Sequence, residues 1–338
     1  MTASKKANVL LFGGGAVGTI GAVNLEAGGL AEVTIVLRSN FKAVNENGYL
    51  IESCDHGDLK GWKPTKVING VPDVAAESLL PYDYIFVCSK NCSDIPPSIA
   101  TIIAPAVTPS HTVIVLNQNG LNIEKPIQAA FPSNICLSGI SLIDAHEKDP
   151  GHIRHEYADD LLIGAFHNPN LKLEDEEKAA KNFVELYGAA GKTQVAFVDD
   201  VPFRRWRKLV YNASWNPICA ILETDTGTLK TAAGVNIVEG LVKPVMWEII
   251  AAAKAHGYDL PDDVVDFFIN IDPPELKLKP SMQVDKEKGN FLEFENLVGE
   301  PLRAGTAKGV DMPKLAIIYE LCKLLQWKTK AAKGLIEG

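Results

Sequence analysis

Three glycines near the start of the chain have a spacing that can hold phosphate groups. Gly13, Gly15 and Gly18 follow the apolar run 9–12 and precede a helical pattern. A glycine turn between a strand and a helix lets backbone N–H groups approach a pyrophosphate at the positive end of the helix. The spacing alone is a weak signal, and the strand and helix around it favour a dinucleotide-binding loop. The expected cofactor contacts in this loop are Gly13, Gly15, Ala16, Val17 and Gly18.

An arginine follows the next predicted strand. The apolar run 33–37 ends at Arg38, which comes 20 positions after Gly18. An NAD site would place a carboxylate there on the ribose 2′-hydroxyl, whereas an arginine attracts a 2′-phosphate and can bond it twice. The alternative is a surface arginine in a loop. The residue type favours NADPH as the cofactor.

A second group of polar residues repeats every four positions. Lys208, Asn212 and Asn216 would lie along one face of a predicted helix over 204–222, which Pro217 kinks or interrupts. If this face lines a binding site, Lys208 can protonate a carbonyl oxygen as hydride arrives, and the two amides can orient the substrate. The alternative is an ordinary solvated helix face.

The composition is that of a globular protein with two domains. The chain has 338 residues, of which 46% are hydrophobic and 22% charged, and its length predicts two domains. The end of the last predicted strand, 194–198, places the boundary between 1–199 and 200–338. The net charge of −9 argues against a general nucleic-acid surface but not against a small anionic substrate. No apolar run is long enough to span a membrane, and the amino terminus lacks a signal-peptide pattern. Six cysteines without C-x-x-C spacing indicate reduced thiols, so we expect a cytoplasmic protein.

The first domain alternates predicted strands and helices. The apolar runs 84–88 and 112–116 are typical of buried strands in a parallel, doubly wound α/β sheet of the Rossmann-like type. Lys90 and Asn119 follow these two strands, at the edge where such sheets bind ligands. Segment 135–164 is predicted to extend the sheet with antiparallel strands.

Three histidines in segment 135–164 could suggest a metal site. However, His152 and His155 are three positions apart on a predicted strand, which places them on opposite faces. Together with His146 they form no ligand set, and we expect no metal.

The second half is predicted to be an all-α domain. After the helix at 204–222, apolar patterns indicate helices near 235–256, 264–269, 291–298 and 314–325. The last of these helices has an apolar stripe that we interpret as core or dimer packing, so a homodimer is possible. The stripe consists of Leu315, Ile318, Tyr319, Cys322 and Leu325.

Along nearly its whole length the chain resembles the ketopantoate reductase (2-dehydropantoate 2-reductase) family. The lysine–asparagine run and the serine-to-glutamate spacing are the most specific similarities. The matching segments are 13–18, Arg38, Lys90, 118–120, the Lys208–Asn212–Asn216 run, Ser281 to Asp285, and Glu293 to Glu295 followed by Gly299.

The resemblance implies NADPH-dependent reduction of a 2-keto acid to a 2-hydroxy acid, in a cleft between two domains. Lys208 matches the general acid of the family and Glu293 its catalytic carboxylate. Asn119, Asn212, Asn216 and Ser281 match substrate positions, Lys90 and Asn119 match positions near the nicotinamide, and Arg38 matches the arginine that recognises the 2′-phosphate.

Two positions differ from the family pattern. Ser93 stands where the family commonly has glutamine, and Val298 stands where it often has asparagine. These differences leave open a related reductase for another branched or aromatic 2-keto acid. A non-catalytic NADPH-binding sensor is a further alternative, but the presence of both Lys208 and Glu293 argues against it. A β-hydroxyacid dehydrogenase would have a glycine-rich segment before the lysine, where this chain has 204–207 with three arginines.

Overall fold

The chain folds into two compact units, which a computed structural model describes over residues 5–337. The first unit contains the described residues through Lys90, together with Pro97–Gln118 and Ile123–Val201. The second contains Asn91–Pro96, Asn119–Asn122 and the described residues from Pro202 onward. The segments Asn91–Pro96 and Asn119–Asn122 follow strands of the first unit in the chain but belong to the second unit. A single boundary after residue 199 would assign both segments to the first unit.

The first unit contains twelve strands among the described residues, in two sheets. In chain order they are β1 (Ala7–Phe12), β2 (Ala31–Val36), β3 (Tyr49–Ser53), β4 (Gly57–Trp62), β5 (Lys66–Ile68), β6 (Tyr84–Val87), β7 (Val113–Leu116), β8 (Cys136–Ser141), β9 (Asp144–Asp149), β10 (His152–Tyr157), β11 (Asp160–Ala165) and β12 (Gln194–Phe197). The large sheet has the order β12-β11-β8-β7-β6-β1-β2-β5. All its neighbouring strands are parallel except β8 and β11, which are antiparallel. This confirms the prediction of a Rossmann-like parallel sheet.

Apolar residues cover both faces of this sheet. Along β1, Val9 and Leu11 pack in one buried cluster, whereas Leu10 and Phe12 pack in another. Successive side chains of a strand point to opposite faces, so a continuous apolar run requires helices on both sides. The helices of this unit are α1 (Ala16–Ala27), α2 (Phe41–Asn47), α3 (Ile99–Ile103), α4 (Lys125–Ala130) and α5 (Leu173–Gly188).

The prediction of an antiparallel extension over 135–164 is correct only in part. β11 is antiparallel to β8, but β9 and β10 belong to the small sheet, whose order is β4-β3-β10-β9. Buried residue pairs between β10 and β3 explain why β10 belongs to the small sheet. Ile153 pairs with Ile51 and His155 with Ser53 of β3, and all four of these residues are buried.

The second unit is helical among its described residues, as predicted. Its helices are α6 (Val201–Asn212), whose first residue belongs to the first unit, α7 (Trp215–Leu222), α8 (Thr226–Thr231), α9 (Lys243–Ala255), α10 (Val264–Asn270), α11 (Ser281–Glu287), α12 (Glu300–Ala307) and α13 (Pro313–Ala332). Wider π-helical turns, Val238–Val242 and Glu295–Gly299, lead into α9 and α12. Leu315, Ile318 and Cys322 of α13 lie in the core of the unit. None of the helices described is long and apolar enough to cross a membrane.

The single helix predicted over 204–222 is two helices. α6 ends at Asn212 and α7 begins at Trp215, so the break lies four residues before Pro217 rather than at it. A proline has no N–H group to donate to the carbonyl four residues earlier, which here belongs to Ala213. In the same break, the hydroxyl of Ser214 donates to the Val210 carbonyl at 2.6 Å and so bonds the last turn of α6. Asn216 therefore lies on a different helix from Lys208 and Asn212.

Candidate functional site

The glycine loop of the first unit leaves space where a phosphate would lie. Gly13 has a φ of +106°, and a Cβ there would come within 2.3 Å of the Ser89 nitrogen. A Cβ on Gly18 would lie 2.0 Å from the Gly13 oxygen. Gly15 is different, because a Cβ there would meet no atom of the described part of the chain within 4 Å. It is the exposed residue immediately before α1, whose Ala16 is buried. The loop is thus tightly packed at Gly13 and Gly18 and open at Gly15, at the positive end of α1, and this arrangement fits a pyrophosphate.

The carboxyl ends of the neighbouring parallel strands carry the other predicted cofactor residues of this unit. Arg38 follows β2 and Lys90 follows β6, and both are exposed. Since β1, β2 and β6 are parallel neighbours, Gly13, Arg38 and Lys90 come from the same edge of the sheet. This is the edge where doubly wound sheets bind ligands. The residues present therefore fit a dinucleotide.

Lys208 lies within a polar group of the second unit. Its Nζ atom donates a hydrogen bond to Oδ1 of Asn119 at 2.8 Å. One helical turn earlier, the buried Arg205 donates to the Gly120 carbonyl at 2.7 Å. Gly120 has a φ of +103°, and a Cβ there would approach the Cβ of Asn296 to 2.6 Å. A glycine is required at this position, and α6 and the π-helical turn before α12 together fix the place of Asn119.

The surroundings of Lys208 change its acidity. The pKa of Lys208 is lowered from 10.5 to about 7, mainly because burial removes solvent around the ammonium group and also because of the nearby charge of Arg205, while the charge of Glu293 opposes the change. The side chain is only half-buried, so it remains accessible to a small molecule. A group with a pKa near neutrality that can reach a ligand is suited to donate a proton.

Glu293 is a buried carboxylate with a fixed orientation. Its Oε1 atom accepts a hydrogen bond from the backbone N–H of Asn91 at 2.7 Å. Gln326 of α13 holds the two chain segments involved. It accepts from the Leu292 N–H at 3.0 Å and donates to the Asp94 carboxylate at 3.1 Å. The position of Glu293 therefore depends on α13 as well as on its own segment.

The other three predicted substrate residues are contributed by three helices, whereas Asn119 lies in the segment after β7. Asn212 is buried one turn after Lys208 on α6. Asn216 of α7 is also buried, and its Nδ2 atom donates to Oγ of Ser281, the exposed first residue of α11, at 3.4 Å. The structure brings Lys208 to Asn119 and Asn216 to Ser281. Glu293 acts on Lys208 through its charge.

The two departures from the family pattern have different surroundings. Ser93 is exposed, so exchange of its side chain requires no repacking. Val298 is fully buried and packs in the core of the second unit. An apolar side chain satisfies that environment, and it supplies no polar contact there.

Two supporting residues are missing from the sequence prediction. Arg205 precedes Lys208 by three positions, so helical spacing alone places it on the same face. Gln326 continues the buried stripe of Leu315, Ile318 and Cys322, where an apolar residue is expected. A polar side chain in such a stripe is a signal that it bonds to buried backbone, as Gln326 does.

Comparison with known proteins identifies the family. The family model described as "Ketopantoate reductase PanE/ApbA" matches residues 9–168, and the model of its C-terminal part matches residues 200–326. An uncharacterized protein of Saccharomyces cerevisiae is 36% identical, over 97% of this chain and 96% of its own length. 2-Dehydropantoate 2-reductase from Methylococcus capsulatus, whose crystal structure is known, has 31% sequence identity to this chain. The two structures match with a TM-score of 0.78 over 95% of this chain and 97% of that chain.

A further structure shares the fold at low identity. D-mandelate dehydrogenase, solved as a ternary structure with NADH and anilino(oxo)acetate, has a TM-score of 0.80 at 18% identity, over 96% of this chain and 99% of that chain. The two family models together cover most of the chain, and a solved 2-dehydropantoate 2-reductase is 31% identical over 95% of it. The chain therefore belongs to the ketopantoate reductase family of oxidoreductases.

Proposed function

We propose that the protein reduces a 2-keto acid to a 2-hydroxy acid with NADPH, and that its substrate is 2-dehydropantoate. The observation that carries this proposal is the environment of Lys208. A half-buried lysine with a pKa of about 7 is hydrogen-bonded to Asn119 and lies near the charge of a buried carboxylate. Family membership supplies the reaction class, and the lysine supplies the proton that the reaction consumes.

Different residues of the second unit would protonate the keto acid and orient it. Lys208, as the ammonium, donates a proton to the keto oxygen, becomes neutral and regains a proton from solvent. Asn119 accepts a hydrogen bond from Nζ and so directs the ammonium group. Asn212, Asn216 and Ser281 supply amide and hydroxyl donors for the substrate carboxylate and hydroxyl groups. Glu293 keeps positive charge on Lys208 by opposing the loss of its proton.

The cofactor would be held by the first unit. The backbone from Gly13 to Gly18 would receive the pyrophosphate, and Lys90 would lie near the nicotinamide. Arg38 would bind the 2′-phosphate, because its exposed guanidinium can form two charge-assisted hydrogen bonds to it. When bound, NADPH supplies the hydride that adds to the carbonyl carbon.

Two alternatives follow from specific observations. Ser93 and Val298 stand where the family commonly has amide side chains, and D-mandelate dehydrogenase, of the same fold, was solved with NADH and anilino(oxo)acetate. A reductase for an aromatic or another branched 2-keto acid would keep Lys208 and change these positions. A protein that only senses NADPH would need neither Lys208 nor Glu293.

Steady-state assays on the purified full chain test these functions. NADPH oxidation is followed by absorbance with 2-dehydropantoate, with other branched 2-keto acids and with phenylglyoxylate, and each assay is repeated with NADH. We expect the highest kcat/KM with 2-dehydropantoate and NADPH. A higher value with another acid would assign that acid as the substrate. Tight NADPH binding without oxidation by any acid would identify a sensor.

We also propose that the protein forms a homodimer and is cytoplasmic. Ile317, Leu321 and Leu324 occupy one face of α13 and are between 41% and 63% exposed. They lie opposite the buried stripe of the same helix and form an apolar surface that a second copy could cover. Light scattering coupled to size-exclusion chromatography measures the mass, and Leu321→Glu should shift a dimer to the monomer. A monomeric wild-type protein would contradict the dimer.

A further inference from the structure

A cysteine, an aspartate and a histidine meet in the first unit, among residues that the proposed reaction does not use. Cys54 and Asp55 directly follow β3, and His155 lies on the neighbouring parallel strand β10. One ligand atom from each of the three side chains lies within 4.8 Å of the other two. The spacing of His155 from His146 and His152 does not reveal this group, because Cys54 and Asp55 lie about 100 positions before His155 in the chain.

The histidine in this group has an unused nitrogen. The His155 side chain is fully buried, and its Nε2 atom has no hydrogen-bond partner among residues 5–337, which the structure describes. The Asp55 Oδ2 atom is 3.8 Å away, which is too far for a hydrogen bond. Buried polar atoms are nearly always bonded, so this nitrogen requires an explanation. It points toward the carboxylate and the thiol, and a bound cation would satisfy all three groups.

The other ring nitrogen is oriented by a serine. His155 Nδ1 lies 2.8 Å from Oγ of Ser53, and this Oγ accepts from the backbone N–H groups of Asp55 and His56 at 3.2 and 3.0 Å. A histidine that binds a metal through one nitrogen characteristically hydrogen-bonds through the other, which fixes the ring and its tautomer. The turn that presents Cys54 and Asp55 is thus fixed by the same hydroxyl that orients His155.

We propose that Cys54, Asp55 and His155 form a zinc site. Zinc takes thiolate, imidazole and carboxylate ligands at about 2.3, 2.0 and 2.1 Å in a tetrahedral arrangement, which separates the ligand atoms by about 3.3–3.8 Å. The Nε2–Oδ2 separation of 3.8 Å already lies in this range. The Cys54 thiol donates to Asp55 Oδ1 at 3.7 Å, and Cys54 is exposed, so its sulfur can approach the ion by rotation about its side-chain bonds.

The fourth position would be taken by water. Three protein ligands leave one zinc position open, and the exposure of Cys54 lets solvent reach it. The metal would replace the thiol proton and any proton on Nε2, both of which pass to solvent. Asp55 also accepts from the Asp159 N–H at 3.0 Å, which holds its carboxylate toward the site. The site would link the end of β3 to β10 and stabilise the small sheet, independently of keto acid reduction.

Cobalt binding to the full chain tests the proposal. The protein is freed of metal with a chelator and titrated with Co²⁺, and then with Zn²⁺ against a chromophoric chelator. We expect one equivalent of Co²⁺ to produce a thiolate-to-metal charge-transfer band and the visible bands of tetrahedral cobalt. Zn²⁺ should displace it and raise the Tm of the protein.

Two single variants locate the site. Cys54→Ser should abolish the charge-transfer band and weaken Zn²⁺ binding by more than about tenfold. Cys54 is exposed, so the variant should fold, and circular dichroism verifies this. Asp58→Asn is the matched control, because Asp58 is an exposed carboxylate on the adjacent strand β4 outside the group. Equal Zn²⁺ affinity of the wild type and Cys54→Ser, or equal losses in both variants, would overturn the proposal.

Discussion

The candidate cofactor loop and the candidate catalytic group are built in opposite ways. In the first unit, backbone atoms of one continuous segment form the site, and the essential feature is the absence of side chains at Gly13 and Gly18. In the second unit, side chains from separate segments form it, around Lys208, Asn119 and Glu293. The first site should therefore be sensitive to added volume, and the second to the removal of a functional group.

The largest effect is expected from removal of the lysine. Lys208→Ala should lower kcat by about 10²–10⁴-fold, the usual contribution of a positioned acid, while NADPH affinity stays near the wild-type value. Stopped-flow or steady-state NADPH oxidation gives kcat, and fluorescence titration gives the affinity. The control is Lys254→Ala, which removes an exposed lysine of α9. Near-normal turnover of the Lys208 variant would exclude Lys208 as the proton donor.

Added volume in the glycine loop should affect stability and cofactor binding separately. Gly18→Ala places a Cβ 2.0 Å from a backbone oxygen, so an overpacking cost of about 1–3 kcal/mol should lower the Tm by several degrees. Gly15→Ala meets no atom and should leave the Tm unchanged, yet it should weaken NADPH binding, because its methyl group projects from the open side of the loop. Calorimetry measures the Tm of each variant, and titration with NADPH measures its cofactor affinity. Unchanged cofactor affinity in Gly15→Ala would show that no phosphate binds there.

A smaller and selective effect is expected at Arg38. Arg38→Ala should weaken NADPH binding by about 10–100-fold, since hydrogen bonds to a charged group contribute about 1.5–3 kcal/mol, and it should leave NADH binding unchanged. Arg38→Gln, which keeps the length but not the charge, is the companion variant. Equal losses for both cofactors would mean that Arg38 does not recognise the 2′-phosphate.

The smallest effect should come from the charge beside the lysine. Arg205 lowers the pKa of Lys208, so Arg205→Met should raise that pKa and move the alkaline limit of activity upward by up to about one pH unit. Arg205→Lys keeps the charge and should restore the wild-type pH profile, although it can lose the bond to Gly120. If the methionine variant has an unchanged pH profile but a lower Tm, the role of Arg205 is structural.

The same contrast explains what the sequence could predict. The glycine loop, the parallel sheet and the helical second half depend on local spacing and hydrophobic periodicity, which a single sequence contains. Helical spacing indicates Lys208 and the family motifs indicate Glu293, whereas the hydrogen bond from Asn91 to Glu293 joins residues 202 positions apart, which no local pattern reveals. The pKa of Lys208 likewise depends on burial and on the position of Arg205.

The errors of the sequence prediction have local physical causes. The break between α6 and α7 lies at the carbonyl that Pro217 cannot bond, rather than at the proline itself. β10 belongs to the small sheet because β3 and the unpredicted β4 provide a sheet edge for it. Alternation along β10 correctly separates His152 from His155, but it could not show that His155 meets residues that follow β3.

The pH dependence of kcat/KM for the 2-keto acid tests the proton-donor role of Lys208 most directly. The wild-type protein and Lys208→Ala are assayed for 2-keto acid reduction with saturating NADPH, from about pH 5.5 to about pH 9, because kcat/KM reports the ionisation of the protein before the keto acid binds. Lys208 must be protonated to act, and its pKa is about 7. The wild-type kcat/KM should therefore fall as the pH rises through neutrality, and the residual rate of the variant should lack this limb. A wild-type kcat/KM that is constant over this range, or an identical limb in the variant, would contradict Lys208 as the acid.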